Sequence, residues 1–214
     1  MDDEPALGQE TTRQERRDAV LNRERVLAAA RQLFVEQGVD ATSMNQIAQA
    51  AGVGPGTLYR NFAHKGELCL ALLEDDIEVF QRQVGAILGG PTAPKSALAR
   101  LERLLDELLR VTESHVPLLA GAREAFAGRR RFDHYQTPFY SWLHAEMTGL
   151  LREAVEAREI APLDADFTAD AIAAAIAPPL VSFLREHRGF DRARIAAGVR
   201  RLFVDGLRAG QPSD

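Results

Sequence analysis

From Asn22 onward the apolar residues of this chain recur at spacings of three and four and nowhere alternate convincingly, so helices are the regular structure it can build. Val26, Leu27, Ala30, Leu33 and Phe34 make the first stripe, which Gly38 ends. Ser43 is a good N-cap for a second, short helix with Met44, Ile47, Ala48 and Ala51 on one face, stopped by Gly52. Pro55 stands where a helix favours its first residue, and Leu58 with Phe62 gives the third stripe. A long run through Leu68, Leu72, Leu73, Ile77, Phe80, Val84 and Leu88 lasts until Gly89, Gly90, Pro91 and Pro94 break it. Further helices are expected over Ala97 to Ser114, Pro117 to Ala127, Phe139 to Arg158, Asp166 to Glu186 and Arg192 to Ala209. Pro178 and Pro179 should kink the eighth near its middle. The expected fold is all-α with about nine helices, the first three short.

Residues 1–18 are polar and charged without apolar periodicity, and they read as a flexible arm. Residues 19–66 then form a cluster of short helices, and 67–214 a larger helical part. At 214 residues and 46% hydrophobic, the chain suits one or two globular domains. Cys69 is the one cysteine, so no disulfide within the chain and no cysteine zinc site is possible. No stretch approaches the roughly 18 consecutive apolar residues of a membrane span. Met1 to Gln9 holds three acids where a signal peptide would be basic, which points to the cytoplasm. The net charge of −5 argues at first against a nucleic-acid partner. The charge is uneven, however: Thr11 to Gly66 carries 8 basic and 5 acidic residues, so the acidic total comes from elsewhere.

The segment Ile47-Ala48-Gln49-Ala50-Ala51-Gly52-Val53-Gly54-Pro55-Gly56-Thr57-Leu58 carries the functional signal. In a helix-turn-helix two short helices cross steeply. The inner residue must be small, the turn must allow positive φ, and the second helix must return an apolar residue to the core. Ala48, Gly52 and Leu58 meet those demands in order. An ordinary helical hairpin with a glycine turn would satisfy the same pattern.

Phe34, Gly38, Ala41-Thr42-Ser43-Met44, Ile47-Ala48, Ala51-Gly52-Val53-Gly54, Gly56-Thr57-Leu58-Tyr59, Phe62, Lys65 and Leu68 together resemble the N-terminal signature of the tetracycline-repressor (TetR) family of bacterial transcription regulators. The resemblance spans Asn22 to Leu73 and implies that Pro55 to Phe62 is the recognition helix for the DNA major groove. It places Tyr59 and Lys65 at phosphate-contacting positions and Ser43 and Thr57 at frequent hydroxyl contacts. Asn45, Arg60 and Asn61 would face base edges, where arginine suits guanine and asparagine suits adenine; a solvated helix face is the alternative for each. Many relatives cap this helix with Ser or Thr followed by Lys, where this chain has Gly54 and Pro55. Pro55 still presets the helical φ and leaves the helix dipole aimed at phosphate. Arg13, Arg16 and Arg17 form either a minor-groove arm or a solvated tail.

For the larger part the resemblance implies a homodimer built on the last two helices and a small organic effector. Ala173, Ala177, Val181, Val199, Phe203 and Gly206 offer small and apolar surface for such a dimer, with burial inside one subunit as the alternative. Phe126, His134, Tyr135, Phe139, Tyr140, Trp142 and His144 concentrate aromatic walls and polar handles, as an effector pocket needs, with core packing as the alternative. No cofactor, metal or catalytic residue is expected. Gly52-Val53-Gly54-Pro55-Gly56 follows a helix, where a phosphate loop would follow a strand, and the histidines lack metal spacing. The competing readings are a DNA-binding or architectural protein without an effector, and a helical enzyme using the C-terminal pocket.

Overall fold

The computed structural model describes residues 6–122 and 137–208. Among them lie α1 (Ala6–Gln37), α2 (Met44–Ala51), α3 (Pro55–Asn61), α4 (Lys65–Gly89), α5 (Ala97–Gly121), α6 (Pro138–Glu156), α7 (Ala165–Ile176), α8 (Pro178–Glu186) and α9 (Arg192–Phe203), followed by a single 3₁₀ turn, Asp205–Leu207. No strand occurs among the described residues; an isolated bridge pairs Ile160 with Arg208. The all-α expectation holds.

Three elements differ from the sequence expectation. The first helix starts at Ala6, inside the stretch read as an arm, because no glycine or proline interrupts Gln9 to Gln37 and its Glu, Gln and Arg residues are good helix formers. The two helices expected on either side of Pro117 are one, α5, with that proline inside it. Proline removes one amide donor, and burial of the flanking His115 and partial burial of Leu118 and Leu119 offset the loss. The helix expected to kink at Pro178 is fully broken into α7 and α8 at Ala177, whose ψ of 140° is extended. The residue before a proline is driven out of the helical region, so the break falls there. By length and composition the Ala165–Glu186 segment reaches what a membrane span requires. In the structure it is divided at Ala177, and Ala169, Ile172, Ile176 and Val181 enter a helical core.

The chain forms two compact units, and the division falls inside α4 and α5, not at residue 66. One unit holds the described residues up to Asp75 together with Pro117 to Ala122. Its core joins Val26, Leu27 and Ala30 of α1 to Ile47, Ala48 and Ala51 of α2, Leu58 of α3, Phe62, and Leu68, Ala71 and Leu72 of α4. Beside it Val39, Cys69, Leu73 and Ala122 form a smaller cluster. Burial pushes the Cys69 thiol up to about 11, against the opposing pull of the Lys65 ammonium.

The other unit runs from Asp76 to Val116 and from the start of α6 to Arg208. Its core is a leucine-rich face of α5 (Leu98, Leu101, Leu104, Leu105, Leu108, Leu109) against Leu143, Met147, Leu150 and Leu151 of α6, Ala169 and Ile172 of α7, and Ile195 and Val199 of α9. Glu159 caps the start of α5: its carboxylate accepts from the Ala97 and Leu98 amides at 3.1 and 2.8 Å and from the Ser96 hydroxyl at 2.8 Å. Burial works to raise this carboxyl, but those donors outweigh it and hold it below the usual range.

Candidate nucleic-acid interface

The turn between α2 and α3 is built as its sequence demands. Ser43 caps α2 in a reciprocal arrangement: its hydroxyl accepts from the Gln46 amide at 3.3 Å while its own amide donates to Gln46 Oε1 at 2.8 Å. Ala48 is 3% exposed, small enough to admit the crossing helix. Gly52 takes φ of 64° and ψ of 35°, the left-handed conformation that costs a β-carbon-bearing residue about 1 kcal/mol or more. The Val53 amide then donates to the Ala48 carbonyl at 3.1 Å, and α3 opens at Gly54 without a side-chain cap, Pro55 supplying its first residue. Leu58 is fully buried and fixes the rotation of α3 about its axis.

With Leu58 inward, Pro55, Tyr59 and Arg60 are exposed and Thr57 and Asn61 half-buried on α3, while Asn45 is exposed on α2. The Arg60 guanidinium folds back on its own helix, donating to the Gly56 carbonyl and the Thr57 hydroxyl, both at 3.3 Å. Asn61 Nδ2 donates to the Thr57 carbonyl at 2.8 Å. These are contacts within the helix's own turns, long enough at Arg60 to exchange for a base edge. Arg17 is exposed, and the side chains of Arg13 and Arg16 lie outside the described residues.

Lys65 opens α4. Its ammonium donates to the carbonyls of Val39 at 2.7 Å, Thr42 at 3.0 Å and Asp40 at 3.3 Å, so its three hydrogens are engaged by the α1–α2 turn. Arg23, which the sequence reading passed over, stacks its guanidinium 4.9 Å from the centre of the Phe62 ring at the end of α3. Helical stripes place Arg23 on α1 without revealing which ring it meets, so no sequence signal marks that contact.

The residues expected to line an effector pocket fall into three sets. Phe126, His134 and Tyr135 lie outside the described residues. Phe139 and Trp142 pack on Phe80, ring centres 6.0 and 5.9 Å away, as part of the core. Tyr140 donates its hydroxyl to Asp170 Oδ1 at 2.7 Å, and His144 Nε2 lies 3.5 Å from the same oxygen. Of the residues expected at a dimer interface, Val181 and Val199 are buried in their own unit's core. Ala173, Ala177 and Phe203 are partly buried and Gly206 is exposed. Large apolar side chains that do stand exposed on α7, α8 and α9 are Phe167, Leu180, Phe183 and Leu202. A helix shows the sequence two faces of similar apolarity, and only packing decides which one is inside.

A capped short helix, a left-handed glycine and a second short helix with its aromatic and basic residues outward define a helix-turn-helix DNA-binding protein. The family model for bacterial regulatory proteins, tetR family, matches residues 26–72. An HTH-type transcriptional regulator of Staphylococcus aureus (strain MRSA252) is 31% identical over 176 residues, covering 82% of this chain and 89% of that one. Two solved structures share the fold. A transcriptional regulator from Saccharomonospora viridis, in complex with choline, is 18% identical at a TM-score of 0.69, over 88% of this chain and 98% of that one. NalD, the secondary repressor of the MexAB-OprM multidrug efflux pump in Pseudomonas aeruginosa, is 23% identical at 0.58, over 91% and 100%. The chain belongs to the TetR family of bacterial transcriptional regulators.

Proposed function

We propose that the protein is a cytoplasmic homodimeric repressor, held on double-stranded operator DNA by α3 and released by a small organic effector. The observation that carries the reading is the disposition of α3: Leu58 is fully buried while Tyr59 and Arg60 stand exposed beside it. Ser43, Asn45, Pro55, Thr57, Tyr59, Arg60, Asn61 and Lys65 form the DNA-facing set. Dimerisation is supported by Phe167, Leu180, Phe183 and Leu202, apolar surface on the last helices that water penalises by about 25 cal/mol per Å². A choline complex on the same fold supports a small organic effector, and a repressor on the same fold supports repression. The effector set is Phe126, His134, Tyr135, Tyr140 and His144, with Phe139 and Trp142 as its core-packed wall.

The test is selection of bound duplexes from a random 30-base-pair pool. A dimer should enrich a two-fold symmetric sequence whose half-sites are about 34–36 Å apart. Adding choline chloride and other small organic molecules to the selected complex then measures release. Absence of any enriched sequence defeats the DNA-binding reading; enrichment with no molecule that changes affinity defeats only the effector.

A further inference from the structure

We infer that Arg23 is a DNA-backbone contact, held beside the end of the recognition helix by Phe62; this rests on the DNA-binding reading above. The matched family segment begins at Val26, so Arg23 lies outside it. On α1 the residues that enter the core, Val26, Leu27 and Ala30, follow Arg23 at spacings of three, four and seven, which puts Arg23 on the same face of the helix. One turn before the core begins, that face carries a guanidinium lying 4.9 Å from the centre of the Phe62 ring. Phe62 closes α3: it is 3% exposed, and its amide donates to the Leu58 carbonyl at 2.9 Å. The ring that supports Arg23 is therefore as fixed as α3 itself.

An arginine stacked by its flat face keeps its N–H groups at the edge, and that edge is what a phosphate binds. Arg23 is exposed, and among the described residues no carboxylate or carbonyl takes its donors. The seven residues of α3 span about 10 Å and the major groove is about 12 Å wide, so a helix seated there has phosphate walls within a side chain's reach. The carboxyl end of a helix presents unpaired carbonyls, which repel phosphate. A fixed cation beside Phe62 reverses the sign there. Phosphate contacts set register and carry no sequence information, so Arg23 adds grip without adding a base preference.

Arg23→Met removes the charge and keeps an apolar stem over the ring. It is compared with Arg25→Met, the same change at an exposed position about 200° further round α1. Binding is measured over a salt series to the duplex selected by the wild-type protein and to sheared genomic DNA. Helicity is checked by circular dichroism. Arg23→Met should lose about one unit of salt slope per bound protomer and about tenfold in affinity at about 0.1 M salt, on both DNAs alike. Arg25→Met should stay within about 0.3 of the wild-type slope, and so should Arg23→Lys, which keeps the charge. An Arg23→Met slope within about 0.3 of wild type overturns the inference and leaves Arg23 as a cover for the ring. So does an equal loss in Arg25→Met, which would be an effect of bulk charge, or a loss in Arg23→Lys as large as in Arg23→Met. Should Arg23→Met fail to fold, Arg23→Gln must show the same loss of slope for the inference to stand. A wild-type protein that selects no sequence defeats the DNA-binding reading itself, before any variant is made.

Discussion

Arg60 is tethered to its own helix by two 3.3 Å contacts, weak ones for a guanidinium that a base edge can replace. Arg60→Ala should therefore cost about 1–3 kcal/mol on the selected duplex and relax preference at one base position, measured by competition among single-base variants of that duplex. Equal weakening on every sequence would place Arg60 on phosphate. Cys69 is buried, and its thiol is pushed up to about 11 by that burial. Iodoacetamide at pH 8 should leave the native protein unlabelled and modify it on unfolding in urea. Because the folded value is raised, the unfolded thiol ionises near 9.0 while the folded one keeps its proton, so this contribution to stability is present below 9 and lost as pH rises towards 11. At this scale Ala48, Gly52 and Leu58 were legible in the sequence because short-range sterics dictate them. The carbonyl partners of Lys65 were not, because they lie 23 to 26 residues away and a sequence does not display main-chain oxygens.

Helix ends follow the same division between local and distant causes. The Ser43 cap and the Gly52 stop are local and were readable; the cap of α5 comes from Glu159, more than 60 residues further along the chain. Glu159→Ala should destabilise the fold by about 1.5–3 kcal/mol, the scale of hydrogen bonds to a charged group, as measured by urea unfolding at pH 7. Since the folded carboxyl lies below its unfolded value, its contribution is present above the unfolded value of 4.5 and lost as pH falls through the folded one. The difference between wild type and Glu159→Ala should accordingly shrink in acid. Pro117 and Pro178 show why prolines alone do not mark helix ends. Pro117 sits inside α5, whose face is buried on both sides of it, whereas Pro178 is followed by a second proline and ends a helix. The number of missing amides differs, and so does the burial available to offset them.

For the whole molecule, the all-α architecture was legible because periodicity is written in every helix, whereas the partner-facing surface was not. Val181 and Val199 go inward, and Phe167 and Leu202, 71% and 66% exposed, stand outward. If those last helices pair two copies, Phe167→Asp with Leu202→Asp should move the protein from dimer to monomer in sedimentation velocity and leave its helical signal intact. A dimer that persists would place the interface elsewhere. The chain's two units divide inside α4 and α5, and this bears on modularity. A truncation after residue 66 would strip Leu68, Ala71 and Leu72 from the core around α2 and α3. The DNA-reading part is therefore not a bead that can be unthreaded and grafted onto another regulator at a loop. A working chimera between relatives would have to splice within α4, beyond Asp75, and bring the last turn of α5 along with it.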